Sequence, residues 1–155
     1  MFKIYISLSI LSLLLTSCDK NRVFEQNKEI PDMMWDQNNT LKFEPDSTLL
    51  DTVTPYNIYI NVRIASQYQF SNLFLFLTTK LPDGKAARDT VELTLADDKG
   101  WLGDGSGDIW DNRMLFKKNF RFPQTGKYVF ELQQGMRLNP LPLIMDAGIR
   151  IEKAQ

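Results

Sequence analysis

Apolar and polar residues alternate along several short segments of this chain, a pattern typical of β-strands that bury one face. Residues 56–64 are the clearest case, with apolar side chains on one face at Tyr56, Ile58, Ile60, Val62 and Ile64. The same spacing recurs at Val91, Leu93 and Leu95, at Tyr128, Phe130 and Leu132, and at Met145, Ala147, Ile149 and Ile151. We therefore predict that each of these segments is a strand with those side chains in the core.

Two further segments depart from simple alternation. Residues 73–77 are apolar at every position, which predicts a central strand covered on both faces, and the stretch 70–76 is expected to be core. Another apolar face is interrupted at Lys118, which indicates a bulge or an edge. The members of that face are Met114, Phe116, Phe120 and Phe122.

Turn residues separate these strands, and no segment keeps a helical period of 3.6 residues over three turns. Leu81-Pro82-Asp83-Gly84 is a typical turn, because proline fixes φ and glycine accepts a positive φ. The sequence predicts an all-β fold: an antiparallel β-sandwich, jelly-roll or immunoglobulin-like, with about eight strands in two sheets.

The amino-terminal residues carry the pattern of a bacterial lipoprotein signal. Lys3 precedes an apolar run over residues 4–15, which is shorter than the ~20 residues that a membrane span needs. The run ends in Leu15-Thr16-Ser17-Cys18, a lipobox, so Cys18 is the predicted lipid attachment residue. The alternative is that Cys18 is a buried thiol in an uncleaved hydrophobic helix.

The predicted domain organisation follows from this signal. Residues 1–17 are the signal peptide, residues 18–22 are the acylated cysteine and a short tether, and residues 23–155 are the β-sandwich domain. The mature chain has 138 residues, with 17 basic and 19 acidic side chains, and its acyl chains hold it to a membrane. Asp19 follows the cysteine, a position where some Gram-negative bacteria use an acidic residue for inner-membrane retention. Since that rule is not general, we expect a lipid-anchored protein of a Gram-negative cell envelope, with the outer membrane favoured and the inner membrane as the alternative.

Composition narrows the chemistry that the domain can perform. The chain has 155 residues, one cysteine, no histidine and a formal net charge of −1. These counts exclude a Ser-His-Asp triad, an intrachain disulfide and every multi-cysteine metal site. The near-neutral charge also argues against nucleic acid as a partner. We expect a protein that is not an enzyme and has no catalytic residue.

The most unusual stretch is the Gly/Asp-rich loop over residues 97–111. Its carboxylates can surround a calcium ion, although Ile109 stands where an EF-hand beginning at Asp104 needs glycine. The favoured interpretation is an ordered turn, with glycines at positive φ and Asp side chains that accept local backbone N–H groups. No metal or other cofactor is expected, and a structural calcium is the alternative. The candidate partner-binding or calcium-binding residues are Asp97, Asp98, Trp101, Asp104, Asp108, Trp110 and Asp111.

Other functions can be assigned to this loop. Asp104 and Asp108 can act as a general acid and base only in a cleft that separates their pKa values. Trp101 and Trp110 can stack on sugar rings, although aromatic residues beside a glycine loop more often close the core, as Trp35 is also expected to do. A glycan-binding module is therefore the alternative to a protein-binding function.

A second loop, over residues 133–143, is unusual because glycine and two prolines interrupt an otherwise apolar stretch. Apolar residues on a loop can mark a partner surface, and they can also fold over the end of a sandwich. The apolar residues concerned are Met136, Leu138, Leu141 and Leu143.

Several motifs, taken together, resemble one protein family over nearly the whole chain. That family is the gliding-motility lipoprotein GldH family of the Bacteroidota. The residues that carry the resemblance are the lipobox, Asn21-Arg22-Val23-Phe24, Ile30-Pro31, Trp35, Tyr56-Asn57-Ile58-Tyr59-Ile60-Asn61-Val62-Arg63, Ser71-Asn72-Leu73-Phe74-Leu75, Asp89-Thr90-Val91-Glu92, Ala96-Asp97, Gly100-Trp101-Leu102-Gly103-Asp104-Gly105-Ser106-Gly107-Asp108, Met136-Arg137 and Asp146-Ala147-Gly148-Ile149-Arg150-Ile151-Glu152.

The resemblance implies a non-catalytic cell-envelope lipoprotein, needed for surface gliding and associated with the type IX secretion system. It implies partners among the other envelope proteins of that apparatus and transfers no catalytic residue. The expected function is protein–protein interaction by a lipid-anchored β-sandwich, with loops 97–111 and 133–143 as the candidate contacts. The alternative is a periplasmic or surface glycan-binding module of the carbohydrate-binding jelly-roll type.

Overall fold

The computed structural model describes residues 19–155, except for the side chain of Ser106. The predicted signal peptide and Cys18 lie outside the described residues. Single 3-10 turns occur at Pro31–Met33 and Ser47–Leu49. The strands in chain order are β1 (Arg22–Glu29), β2 (Met34–Trp35), β3 (Leu41–Phe43), β4 (Tyr56–Ala65), β5 (Asn72–Lys80), β6 (Ala86–Thr94), β7 (Ala96–Asp97), β8 (Gly100–Trp101), β9 (Asp104–Ser106), β10 (Ile109–Phe120), β11 (Val129–Gln134), β12 (Leu141–Pro142) and β13 (Ile144–Lys153).

Two antiparallel sheets form the body of the domain. One has five strands in the order β1-β13-β4-β10-β9, and the other has four in the order β3-β11-β5-β6. Two short ribbons, β2 with β12 and β7 with β8, lie beside them. This arrangement confirms the predicted antiparallel β-sandwich. Among residues 19–155, no helix has the length and apolar character that a membrane crossing requires.

The core lies between the sheets and is formed mostly by side chains that the alternating pattern identifies. The prediction for Val91 is wrong, because this residue of β6 is only half-buried, whereas Leu93 and Leu95 are fully buried. The inward-facing residues of β4 are at most 2% exposed, as predicted. Trp35 is fully buried, and its indole nitrogen donates to the carbonyl of Asn39 at 2.9 Å, so it is the predicted core anchor. Full burial of one such large apolar side chain contributes about 1.5–3 kcal/mol.

The prediction for residues 73–77 is wrong for one of the two faces of the strand. In β5, Leu73, Leu75 and Leu77 are buried, but Phe74 and Phe76 alternate with them and are only half-buried on the outer face. Phe70 is also half-buried. These phenylalanines are partly shielded by side chains from elsewhere in the chain, which the local sequence does not reveal.

The last strand also differs from its prediction at one residue. The inward residues are Ile144, Ala147, Ile149 and Ile151, whereas Met145 is half-buried. The cause is an irregularity in the register with β4 between Ile144 and Asp146, which changes the parity of the strand. The predicted irregularity near Lys118 is confirmed, because the β10–β4 register shifts after Leu115 and again after Lys117.

The strand register defines two ends of the sandwich. At the first, the amide of Lys153 donates to the carbonyl of Asn21 at 2.8 Å, and Lys153 pairs with Tyr56. We call this the anchor end, because the chain enters the fold there. At the opposite, distal end, Ile144 and Ile109 pair with the last residues of β4. At ~3.3 Å per residue, the stretch of β4 from Tyr56 to Ile64 separates the two ends by about 26 Å.

Candidate functional site

Both loops singled out from the sequence lie at the distal end and meet beside the end of β4. The amide of Ala65 donates to the carbonyl of Leu143 at 3.0 Å, and the amide of Ser66 donates to the carbonyl of Asp108 at 2.8 Å. We call the two loops, residues 97–111 and 133–143, the distal surface. The structure thus brings together two segments that are separated in sequence by most of strands β10 and β11.

The Gly/Asp-rich loop is built from two small hairpins. β7 pairs with β8, and β9 pairs with the start of β10. Gly103 has a φ of +85°, and a Cβ there would lie 2.8 Å from the side-chain oxygen of Asn112. Asp97 accepts the backbone N–H of Lys99 at 2.8 Å, as an ordered turn of this type requires.

The carboxylates of this loop are dispersed. Asp111 pairs with Arg63 at 2.7 Å, and Asp108 accepts from the hydroxyl of Ser66 at 3.3 Å. Asp97, Asp98 and Asp104 are exposed. Within the described part of the chain, no three Asp or Glu side chains are grouped closely enough to hold a metal ion.

The two loop tryptophans are half-buried and pack against the core. The indole of Trp110 lies over Gly105, where a Cβ would come within 2.6 Å of the ring. The ring of Trp101 lies 6.4 Å, centroid to centroid, from that of buried Tyr68. Burial raises the pKa of the Tyr68 hydroxyl, which donates to the carbonyl of Asn72 at 3.1 Å.

Gln134 orders the second loop from inside. Its side chain is 1% exposed, accepts from the amide of Met136 at 2.8 Å and donates to the carbonyl of Leu138 at 3.2 Å. The side-chain amide of Gln37 donates to the carbonyl of Met136 at 2.8 Å. The backbone N–H of Gln37 donates to the side-chain oxygen of Asn139, also at 2.8 Å. The loop is therefore held in one shape by polar contacts on both sides, while Leu138 remains 43% exposed.

An apolar groove of about 630 Å³ runs along this loop, on the outer face of the four-stranded sheet. Nearby, the guanidinium of Arg88 lies 4.3 Å above the ring of Phe76. The aromatic pair of Tyr68 and Phe70, with centroids 5.6 Å apart, connects Trp101 to the groove. The residues that line the groove are Phe70, Phe74, Gly135, Met136, Arg137 and Leu138.

The outer face of the five-stranded sheet is polar and holds a groove of about 500 Å³. Asn61 is 7% exposed and donates to Glu25 at 2.9 Å, and Arg113 also contacts Glu25, at 3.1 Å. Asp104 and Asp111 line the groove, but Asp108 does not. Burial raises the pKa of Asp146, although the nearby Arg63 guanidinium opposes that effect.

Arg150 joins this polar face to the start of the described chain. Its side chain is 4% exposed and contacts the carboxylates of Asp19, Glu25 and Glu152, with Glu25 at 2.6 Å. Burial opposes the ionisation of Glu25, but hydrogen bonds from Arg150 and Asn61 outweigh it and lower the pKa of Glu25. The hydrogen bond from Arg150 also lowers the pKa of Asp19.

Sequence reasoning missed Arg150, Glu25, Asn61 and Gln134. Arg150 stands between Ile149 and Ile151 in an alternating strand, which is typical of a solvent-facing position. Its burial follows from acidic side chains that approach from β1 and from Asp19. The one signal in the sequence is the recurrence of charged or amide residues at outward positions of β1, β4 and β13, interrupted by Tyr59 and Gly148.

A comparison with known protein families identifies the family of this chain. Residues 22–151 match the family described as GldH lipoprotein, and this range begins at the first residue of β1. The chain belongs to the GldH lipoprotein family. The resemblance found in the sequence is thereby confirmed.

Two members of the GldH family are similar to this chain over most of its length. The gliding motility lipoprotein GldH homolog of Christiangramia forsetii is 37% identical over 150 residues, which cover 92% of this chain and 90% of the relative. The gliding motility lipoprotein GldH of Flavobacterium johnsoniae is 34% identical over 154 residues, covering 94% of each chain. Neither name is that of an enzyme.

Among solved structures, the VP2 subviral particle of infectious bursal disease virus aligns with 86% of this GldH-family chain and 31% of its own chain. The identity is 11% and the TM-score is 0.28, which is too low for an argument from shared fold.

Proposed function

We propose that this protein is a lipoprotein of the gliding motility and type IX secretion apparatus, attached through acylated Cys18 to the outer membrane. It acts without catalysis, by binding other envelope proteins of that apparatus through the distal surface. The acyl chains confine the domain to a membrane face and so raise its effective concentration for partners on the same membrane.

The observation that carries this proposal is the position of the distal surface. The two loops meet at the end of the sandwich opposite Asp19, the residue next to the proposed anchor, so they project away from the membrane. Polar contacts already order the loop around Gln134, which reduces the entropy that a partner must overcome on binding. Leu102 and Leu138, 38% and 43% exposed, offer apolar side chains on this ordered frame.

Glycan binding through Trp101 and Trp110 is the alternative function. It receives less support from the geometry, because both indoles are half-buried and close the end of the core. Replacement of Trp101 with alanine should therefore lower the melting temperature. A glycan-binding module would instead lose retention on an envelope-glycan column while keeping its melting temperature.

Site-specific photo-crosslinking in living cells tests the proposed function. A photoreactive amino acid at Leu138 or Leu102 should capture companion proteins of the gliding and secretion apparatus. The matched control is Leu115, which is 46% exposed and lies on β10 away from both loops. Equal capture from all three positions would contradict a specific contact at the distal surface. Normal gliding and normal type IX export after deletion of the gene would contradict the proposed role in that apparatus.

A further inference from the structure

The anchor end of the sandwich is closed by residues 46–54, which we call the basal segment. The hydroxyl of Tyr56 contacts the carbonyl of Leu49 at 3.5 Å and accepts the amide of Asp51 at 3.2 Å. Tyr56 is fully buried, so these contacts fix the basal segment across the bottom of the core. The segment begins with a 3-10 turn capped by Asp46, which accepts the amide of Thr48 at 2.9 Å.

Two apolar side chains of the basal segment face solvent. Val53 is 74% exposed, the largest value among the exposed large apolar residues of the described chain, and Leu49 is 46% exposed. Asp51 holds Val53 in place, because its carboxylate accepts the amides of Val53 and Thr54 at 2.8 Å and 2.6 Å and the hydroxyl of Thr54 at 2.8 Å. These hydrogen bonds, with that to the Thr54 amide the strongest, lower the pKa of Asp51. The hydrogen bonds of Asp51 therefore order this turn in a conformation that keeps the Val53 side chain exposed to solvent.

Four basic side chains lie at this end of the molecule, on elements next to the basal segment, which itself carries the exposed aspartates Asp46 and Asp51. Lys118 and Arg121 flank the end of β10, where the amide of Asn119 donates to Asn57 at 3.0 Å, and Lys153 ends β13 beside Tyr56. Lys20 follows Asp19. All four are exposed, and within residues 19–155 none has a carboxylate oxygen within 4.0 Å.

The chain leaves little room between this end and a membrane. Asp19 is bound to buried Arg150, and its carbonyl accepts the amide of Arg22 at 3.2 Å. The proposed acylated residue is the one before Asp19, and one residue spans at most ~3.6 Å. The anchor end is therefore held within a few ångströms of the lipid that acylates Cys18.

From this geometry we propose that the basal segment is a second, non-covalent membrane contact. Val53 and Leu49 enter the interface between headgroups and acyl chains, and Lys20, Lys118, Arg121 and Lys153 lie against anionic headgroups. The partner is the lipid surface itself. The contact fixes the sandwich upright, with the distal surface toward the partners.

This inference rests on the acylation of Cys18 in the proposed function, and fluorescence quenching in vesicles tests it. The only cysteine of the chain is Cys18, so acylation leaves the mature protein without a free thiol. The variant Val53→Cys therefore carries a single reactive thiol, at position 53. The full lipidated chain is labelled there with an environment-sensitive fluorophore and reconstituted in phosphatidylethanolamine and phosphatidylglycerol. The vesicles contain lipid that carries a nitroxide near the headgroup. The matched control is Leu138→Cys, an exposed apolar position at the distal end.

We expect several-fold stronger quenching at position 53 than at position 138, with a blue-shifted emission at position 53 only. Replacement of Lys118, Arg121 and Lys153 by glutamate should reduce the quenching at position 53 without changing the melting temperature. The acylation of Cys18 is verified by intact mass. If acylated protein shows equal quenching at both positions, the membrane contact of the basal segment is overturned, whereas the proposed lipid anchor is not. Protein whose mass shows no acyl chain on Cys18 would overturn both.

Discussion

Arg150 organises the outer face of the five-stranded sheet at the level of single residues. Its guanidinium lies out of water and is shared by Asp19, Glu25 and Glu152, and among the described side chains every buried polar atom has a hydrogen-bond partner. The partners of a buried cation offset the cost of removing its charge from water. When the cation is removed, the partner carboxylates lose the charge that compensated them. The stability of the polar face therefore depends on one residue of β13.

Replacement of Arg150 by methionine should lower the free energy of unfolding by about 3–5 kcal/mol. Among the described residues Asp19 and Glu152 would lose their only basic partner, and Glu25 would keep only its more exposed partners Arg22 and Arg113, in a partly desolvated site. Urea denaturation measures this loss. The control is Arg22→Met, since the Arg22 side chain is 51% exposed and contacts the same Glu25 at 3.3 Å. We expect the control to cost about 0–1 kcal/mol, and equal losses in the two variants would contradict the central role of Arg150.

The pH dependence of stability should show the contribution of Glu25. Its pKa in the folded protein is lowered from an ordinary value of 4.5, so the stabilisation is fully present above that value. It is lost as the pH falls below 4.5 and Glu25 becomes protonated in both states. The difference in unfolding free energy between the wild type and Glu25→Gln should thus be largest near neutral pH and shrink on acidification. A difference that does not change with pH would show that Glu25 acts through packing alone.

At the scale of secondary-structure elements, close backbone approach decides where β1 lies. β1 is an edge strand that pairs only with β13 among the described strands. Gly148 lies opposite Asn27, and a Cβ at Gly148 would collide with the side-chain oxygen of Asn27 and the carbonyl of Gln26. Position 148 therefore requires glycine because β1 leaves no space for a side chain there, and not because of the backbone conformation of Gly148.

The variant Gly148→Ala should displace β1 and cost about 1–3 kcal/mol of unfolding free energy, although alanine is normally preferred over glycine within a strand. Hydrogen exchange should show faster exchange of the β1 amides. The control is Gly107→Asn, at a loop glycine with φ of +61° and no atom within 4 Å of an added Cβ. Asparagine tolerates that conformation, so the control should cost less than about 1 kcal/mol. Retention of β1 protection in Gly148→Ala would contradict the steric argument.

The Gly/Asp-rich hairpins should keep their structure without a metal ion. Asp111, Asp108 and Asp97 are engaged by Arg63, Ser66 and the amide of Lys99, and the aspartates of the described loop do not converge on one point. We expect the melting temperature of protein purified in the presence of calcium to be unchanged by a chelator. A decrease that calcium restores and magnesium does not would establish a structural calcium site.

At the scale of the whole molecule, the sandwich separates two surfaces. The anchor end carries Val53, basic side chains and the start of the described residues, and the distal end carries both candidate contact loops. Strands of about ten residues keep the ends about 26 Å apart. Under the proposed function, a stiff sandwich that is anchored at one end would hold the two candidate contact loops at a defined height above the lipid.

Energy transfer to an acceptor confined to the lipid surface should measure this height. A donor at Leu138→Cys should lie about 25 Å farther from the acceptor plane than a donor at Val53→Cys, because the strands run between these positions. Equal transfer efficiencies would mean that the sandwich lies on its side. In that case the outer face of one sheet, and not the distal surface, would be turned away from the membrane.

The sequence by itself determined the main strands, most of their inward faces and the family, because side-chain alternation and short motifs are local properties of the chain. The alternate residues of β4 face inward as their spacing predicts, at Tyr56, Ile58, Ile60, Val62 and Ile64. Tertiary structure alone decided the rest. Arg150 is buried by Asp19 and Glu25, which lie 131 and 125 residues away, and a register irregularity places Ile144 in the core instead of Met145. Spacing along a strand specifies which face a side chain occupies, but only the pairing of distant strands specifies what that face meets.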